Sequence, residues 1–281
     1  MRLLITGAEG FTGRHLTIAA EQLNYEVIGL TSDLTDDKML LKEVADIAPT
    51  HVAHLAAISA VTHADEEAFY RVNLFGTQNL LQALSALPIA PQKVLLASSA
   101  NVYGNALVNH ITEEVCPKPV NHYAISKLAM EFMSASFSRK LPIVIARPFN
   151  YTGVFHDTRF VIPKIVDHYK RHANEIELGN LHVLREYNDV RMVCQAYLGL
   201  LQSGLPGEIY NIASGSPVSL QEIISTLNEL TGHSIIVKVN PAFVRANEIE
   251  ILSGSPNKIE ALLGPLEHPP LKDTLSWMLS N

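Results

Sequence analysis

Cysteine is scarce in this chain of 281 residues: Cys116 and Cys194 stand far apart, with no partners at metal-ligand spacing. They offer no disulfide framework and fit a reducing compartment. Positive charge is not in excess either, since 21 Lys and Arg face 28 Asp and Glu for a formal net charge of -7. A partner held through its phosphate backbone, nucleic acid above all, is therefore not expected. Uninterrupted apolar runs of about 18 residues are missing, so no membrane span or membrane partner is expected. The opening Met1-Arg2-Leu3-Leu4-Ile5-Thr6-Gly7 has an apolar stretch too short for a secretion signal, and a glycine turn follows where a cleavage site would lie. Internal repeats and low-complexity segments are also absent. The expectation is a cytoplasmic protein of one functional unit, long enough for a full core and a smaller second lobe.

Histidine is plentiful, but the closest pair, His51 and His54, lies in an apolar run that reads as a strand. An i, i+3 pair on a strand points to opposite faces, so a structural role and no metal site is expected. His63, followed by Asp65, Glu66 and Glu67, reads as a helix start, with the acids near the positive end of the dipole.

The first half alternates short apolar runs with helical patterns. Strands are expected at 2–6, 26–30, 51–55, 93–97 and 142–146, with helices notably at 11–23, 65–87 and 123–139. Such alternation implies an α/β fold, a doubly wound parallel sheet of the Rossmann kind with strands buried on both faces. After Arg147-Pro148 the pattern breaks into Gly- and Pro-punctuated pieces, where a smaller, irregular α/β lobe is expected. A helix at 190–202 and a strand at 208–212 resemble the first half again. The boundaries that follow are 1–150, with 186–213 returning to the large sheet, and 151–185 with 214–281 for the lobe.

Gly7-Ala8-Glu9-Gly10-Phe11-Thr12-Gly13 is G-x-x-G-x-x-G between the first strand and the first helix. Glycines there let the main chain approach a pyrophosphate, and the helix N-terminus supplies N–H groups and a positive dipole end. A carboxylate at the tip of the second strand reads the ribose 2′-hydroxyl of NAD. Here that strand runs into Thr31 and Ser32, with Asp33 two residues beyond the first, and Arg14 follows the last glycine of the turn. NADP(H) is therefore favoured, Arg14 pairing with a 2′-phosphate, and NAD(H) remains possible because Asp33 could fold back.

Tyr123 and Lys127 are four residues apart, hence on one helix face. A tyrosine with its usual pKa near 10 shuttles protons poorly at neutral pH, and a neighbouring ammonium favours its phenolate. Ser99, ending a strand about two dozen residues upstream, could hydrogen-bond a carbonyl or alkoxide oxygen from the other side. Ser99, Tyr123 and Lys127 are the candidate catalytic residues.

These motifs, with Asp33-Leu34, His54-Leu55-Ala56-Ala57, Asn73-Leu74-Phe75-Gly76-Thr77, Ser98 to Gly104 and Arg147-Pro148-Phe149-Asn150, resemble the nucleotide-sugar branch of the extended short-chain dehydrogenase/reductase family over nearly the whole chain. The resemblance implies that Gly7, Gly10, Phe11, Thr12, Gly13, Arg14, Thr31, Asp33, Leu34, Leu55, Ala56, Ala57, Tyr123, Lys127 and Pro148 contact the dinucleotide. It implies homodimers formed through helices equivalent to 65–87 and 123–139.

Dehydratases of this branch carry an acidic pair directly after the catalytic Ser or Thr, because eliminating water needs an extra acid and base. Those positions here are Ala100 and Asn101, which disfavours elimination. The pattern is most similar to reductases of nucleotide-linked 4-keto-6-deoxyhexoses, GDP- or dTDP-linked, with a nucleotide-sugar 4-epimerase holding NAD tightly as the alternative. The resemblance implies Ser99, Asn150, Arg185, Arg245 and Glu248 as substrate contacts, the arginines forking onto phosphates. One position departs from the pattern: Met192 stands where an aspartate is expected, which puts in doubt the hydrogen bonding behind the substrate loop.

Overall fold

The computed structural model describes residues 1–59, 64–106, 108, 110–243 and 250–281. The chain enters through β1 (Arg2–Thr6), α1 (Phe11–Gln22), β2 (Glu26–Gly29), α2 (Asp37–Ile47) and β3 (His51–His54). A short α3 (Glu66–Ala68) then runs through a π-helical stretch, Phe69–Gly76, into α4 (Thr77–Ser85). Next come β4 (Lys93–Ala97), α5 (His122–Ser134) and β5 (Ile143–Pro148). The later chain holds β6 (Tyr151–Thr152), α6 (Val161–Lys170), β7 (Glu175–Leu178), β8 (Leu184–Arg185), β9 (Asn188–Asp189), α7 (Val190–Ser203) and β10 (Ile209–Ile212). It closes with β11 (Val218–Ser219), α8 (Leu220–Thr231), β12 (Ile236–Val239), β13 (Ile251–Leu252), α9 (Asn257–Leu263) and α10 (Leu271–Ser280).

A six-stranded sheet in the order β10-β5-β4-β3-β1-β2 carries the fold, and every pairing in it is parallel. The expected doubly wound α/β architecture is met. Side chains alternate across the sheet as a two-residue period requires. Leu3 and Ile5 of β1 join a core with Leu16 and Ala20 of α1 and the buried face of α7, whereas Leu4 between them faces Leu40 and Val44 of α2, Leu80 and Leu84 of α4 and Met130 of α5. β1, β3, β4 and β5 are buried almost throughout, while β2 lies at the sheet edge and is half-exposed. A separate core joins Ile162, Ile165 and Tyr169 of α6, Ile223 and Leu227 of α8, and Leu275 and Met278 of α10.

From β2 the chain crosses back over β1 to β3, so the strand order reverses between β1 and β3. In open parallel sheets that reversal opens a crevice at the carboxyl ends of the two strands. The glycine turn follows β1 and Leu55-Ala56-Ala57 follow β3, so both predicted segments border it.

The expected single helix at 65–87 is not continuous. Within its π-helical stretch, buried Asn73 accepts from the N–H of Ile58 at 2.9 Å and donates to the Ile58 carbonyl and the Ser126 hydroxyl, each at 3.1 Å. One side chain thereby ties the loop after β3 to α5, and a widened turn often marks a functional position. The expected helix at 123–139 ends its α-helical part at Ser134 and tightens to a 3-10 turn over Ala135–Phe137.

Candidate active site

The glycine turn is shaped by main-chain contact. Gly7 adopts a φ of +70°, and a Cβ on Gly13 would lie 2.1 Å from the Gly7 carbonyl oxygen and 2.6 Å from the Ala8 Cα. Only glycine fits at either place. Gly10 caps α1 with no side-chain hydrogen bond, and no acidic residue occupies the helix's first turn. By contrast, α2, α5, α7 and α8 are capped by Asp36, Asn121, Asp189 and Ser219. The first-turn N–H groups of α1 and its positive end thus face the crevice without an internal acceptor from a capping side chain, the arrangement that suits a pyrophosphate.

Neighbouring segments brace this turn. Thr12 Oγ1 and the Tyr151 hydroxyl lie 2.8 Å apart, and Phe11 stacks on His156 with ring centroids 4.2 Å apart and planes at 4°. Burial holds His156 down to about 4, so its ring packs as a neutral group. Thr6 Oγ1 accepts from the N–H groups of Leu55 and Ala56, both at 3.1 Å, which sets the start of the loop after β3 beside the turn. His54 is buried between Thr6 and Thr77 hydroxyls at 2.7 and 2.8 Å, and burial pulls it to about 3, a structural histidine. His51 bonds Thr50 Oγ1 at 3.0 Å.

Ser99, Tyr123 and Lys127 converge at the carboxyl end of β4. Asn121 caps α5 by accepting from the Ala124 N–H at 2.9 Å, and the helix then brings Tyr123 and Lys127 inward, both buried. Tyr123 hydrogen-bonds with Ser99, and Ser99 Oγ also accepts from the main-chain and side-chain nitrogens of Asn101, each at 3.2 Å. Lys127 Nζ donates to the Ala97 carbonyl at 2.7 Å. Burial pulls this ammonium down to about 8, and the charge of Glu131 acts the other way. The expectation that the ammonium favours the Tyr123 phenolate needs correction. Burial raises the Tyr123 hydroxyl above its usual range, the Ser99 hydrogen bond counters this only in part, and Lys127 is turned onto a carbonyl.

Behind these residues runs a buried polar chain. Arg147 Nε donates to Glu131 at 2.9 Å and a terminal nitrogen does so at 2.5 Å, while the Ser98 hydroxyl donates to the same carboxylate. Arg147 also donates to the Tyr103 hydroxyl at 2.9 Å, and Tyr103 donates to Asn211 at 2.7 Å. The network links α5, β5 and β10 directly beneath the Tyr123–Lys127 turn.

A model of the NAD dependent epimerase/dehydratase family matches residues 3–213. The chain belongs to this family. A GDP-6-deoxy-D-talose 4-dehydrogenase of Aggregatibacter actinomycetemcomitans is 34% identical over 269 residues, 94% of this chain and 92% of that protein. A GDP-6-deoxy-D-mannose reductase of Pseudomonas aeruginosa is 33% identical over 297 residues, 100% of this chain and 96% of that one. The structure of RMD from Pseudomonas aeruginosa complexed with NADPH superposes with a TM-score of 0.90 at 32% identity, covering 99% of this chain and 96% of that one.

In this epimerase/dehydratase family member, not every predicted contact lies where the sequence suggested. Arg14 folds onto Glu9, its Nε donating to the Glu9 carbonyl at 2.9 Å. Asp33 stays in its own turn, accepting from Thr35 N and Oγ1 at 2.8 Å each, and those bonds lower its pKa. The strand tip nevertheless carries a carboxylate: Glu43 of α2 accepts from Thr31 N and Oγ1 and from Ser32 N at 2.8, 2.7 and 2.7 Å. The premise of a tip without negative charge is therefore corrected, because a helix supplies what the strand lacks.

Leu34 is buried, its carbonyl accepting from Asn79 at 2.9 Å, and Pro148 ends β5 opposite Ile212. Asn150 is half-buried and its carbonyl accepts from Asn188 N at 2.9 Å. Arg185, also half-buried, donates to the Leu184 and Glu250 carbonyls at 2.8 and 3.2 Å. Arg245, Glu248 and His63 lie outside the described residues.

Sequence reading passed over Glu186, a fully buried carboxylate that accepts from Gly254 N and Ser214 N at 2.7 Å each and from Asn188 Nδ2 at 3.0 Å. It clamps three segments together. Met192 is buried in the apolar core under α7, and the hydrogen bonds in question are carried by Asp189, which binds Arg191 and, at 2.7 Å, Thr274.

Proposed function

We propose that this chain reduces the C4 ketone of a nucleotide-linked 4-keto-6-deoxyhexose, GDP- or dTDP-linked, to a 6-deoxyhexose, with NADP(H) as the favoured dinucleotide and NAD(H) possible. The observation that carries the reading is the surroundings of Ser99. Its hydroxyl meets Tyr123 and Asn101, and Ala100 and Asn101 occupy the places where elimination would need an acid and a base. Two of the relatives described above are named for redox chemistry at GDP-linked 6-deoxyhexoses, and a related structure holds NADPH.

When bound over the glycine turn, the dinucleotide supplies the hydride. Tyr123 donates a proton to the ketone oxygen, a role that requires the phenol form which burial favours. Ser99 orients that oxygen through its hydroxyl. Lys127 holds the nicotinamide ribose. The Gly7–Gly13 turn with Leu55, Ala56, Ala57 and Pro148 cradles the dinucleotide, and Asn150 and Arg185, with Arg245 and Glu248, meet the sugar nucleotide. In this reading residues 1–150 and 186–213 hold the dinucleotide, 151–185 and 214–281 hold the sugar nucleotide, and the enzyme works in the cytoplasm. Among the described residues, no helix is long and apolar enough to cross a membrane.

A homodimer completes the proposal. Phe75, Ile125 and Phe132 expose 55%, 39% and 73% of their surface on the two helical segments expected to form its interface.

The test is incubation with NADPH and a panel of GDP- and dTDP-linked 4-keto-6-deoxy sugars, with products identified by NMR. A 6-deoxyhexose reduced at C4 is the expected product. No reduction of any 4-keto sugar, with interconversion of the corresponding 4-hydroxy C4 epimers when these are supplied without added reductant, would replace the reading by epimerisation.

A further inference from the structure

The tip of β2 is built as an anion site. Leu30 N donates to the Ile5 carbonyl at 2.9 Å, and a Cβ on Gly29 would touch Ala8 of the glycine turn at 3.0 Å, so Thr31 and Ser32 leave the sheet directly beside that turn. Two consecutive main-chain N–H groups and one hydroxyl converge there on a single acceptor, a concavity suited to an anion. In a dinucleotide-binding sheet this is where the adenosine ribose lies. The acceptor here is the Glu43 carboxylate, contributed by a different element, α2. Asp33 is turned away onto Thr35, Arg14 is occupied at Glu9, and no ion pair to Glu43 is found among the described residues. Glu43 thus has no ion-pair partner among the described residues, at the strand tip where the ribose of a bound dinucleotide would lie.

We infer that Glu43 is the residue that sets how far this chain distinguishes NADPH from NADH. The inference rests on the reading of the glycine turn as a dinucleotide site. A 2′-phosphate must either displace Glu43 from the Thr31–Ser32 donors or bind next to its charge, and both oppose NADPH without touching NADH to the same degree. The preference for NADPH is thus weaker than the fold would otherwise allow. Neutralising Glu43 strengthens it. Glu43→Gln keeps an oxygen that can accept from Thr31 and removes the charge, and Glu43→Ala empties the concavity.

The experiment measures the dissociation constants of NADPH and NADH by fluorescence titration for the wild-type chain and both variants. Glu43 lies half-buried on the outer helix α2, and NADH, which lacks the 2′-phosphate, serves as the internal control for folding. The expected result is a shift of the affinity ratio toward NADPH of at least about fivefold in both variants, the scale of one like-charge contact at a half-exposed site. The wild-type ratio should also depend more steeply on salt than the ratio in Glu43→Gln. An unchanged ratio with both dinucleotides binding, or a shift toward NADH, overturns the inference alone. If neither dinucleotide binds, the reading of the glycine turn fails and the inference with it.

Discussion

At the scale of single residues, Tyr123 and Lys127 respond to burial in opposite senses. Burial raises the phenol and pulls the ammonium down to about 8, where Glu131 limits the fall. In the proposed mechanism the basic limb of activity belongs to Lys127, because Tyr123 is still protonated when Lys127 loses its charge. Dinucleotide affinity should weaken as pH rises through about 8, read by titrations at successive pH values, and Lys127→Arg should lack that limb. The stability consequence has its own sign. A lysine depressed from 10.5 to about 8 stabilises the fold above 10.5 and loses that contribution as pH falls through 8. Tyr123→Phe should lower kcat by about 10²- to 10⁴-fold, the usual worth of a positioned proton donor, and leave the dinucleotide dissociation constant unchanged. The Tyr123–Lys127 pair was legible in the sequence because helical spacing alone puts i and i+4 on one face. Its pKa balance was not, because burial depends on what the rest of the fold stacks above α5.

Elements are where sequence and structure part most. β1, its glycine turn and α1 could be read directly, since strand, turn and helix signals are all local. Glu43 could not be assigned to the tip of β2, for nothing in residues 31–33 reports that a helix starting at Asp37 will bend back over them. Glu131 and Arg147 show the same limit. Each is unremarkable in its own segment, and only the docking of α5 on β5 makes them a buried pair with side chains 4% exposed. Removing one partner alone should be severe. Arg147→Met should cost about 3–5 kcal/mol in urea unfolding, since it strands the Glu131 charge, and adding Glu131→Met should restore part of that loss. The glycine turn makes a second element-scale prediction. Gly13→Ala places a methyl group where the Gly7 carbonyl stands, so the start of α1 must shift and dinucleotide binding should fall at least about tenfold, which titration measures.

For the whole molecule, the strand order explains why the predicted segments meet. Reversal between β1 and β3 brings the glycine turn and Leu55-Ala56-Ala57 to one crevice, and β4 and β5 deliver Ser99 and Pro148 further along the same sheet end. The sheet's return through β10 was visible as a strand pattern at 208–212, but the Glu186 clamp was not, since its main-chain donors come from two distant segments, at Ser214 and Gly254. The proposed homodimer would draw on the exposed aromatics on α5 and the π-helical stretch. Phe132→Glu should convert a dimer to a monomer in light scattering, with secondary structure retained.

In the proposed reading, net reduction and epimerisation would both use Ser99, Tyr123 and Lys127 and would differ in where the hydride ends. NADPH carrying deuterium at the transferred position of its nicotinamide, incubated with a GDP-linked 4-keto-6-deoxyhexose, distinguishes them. One NADPH consumed per sugar, with the deuterium fixed at C4 of the product, is the predicted result. No NADPH consumed with the 4-keto sugar, together with interconversion of the C4-hydroxyl epimers of the GDP-linked 6-deoxyhexose in the absence of added reductant, would contradict it.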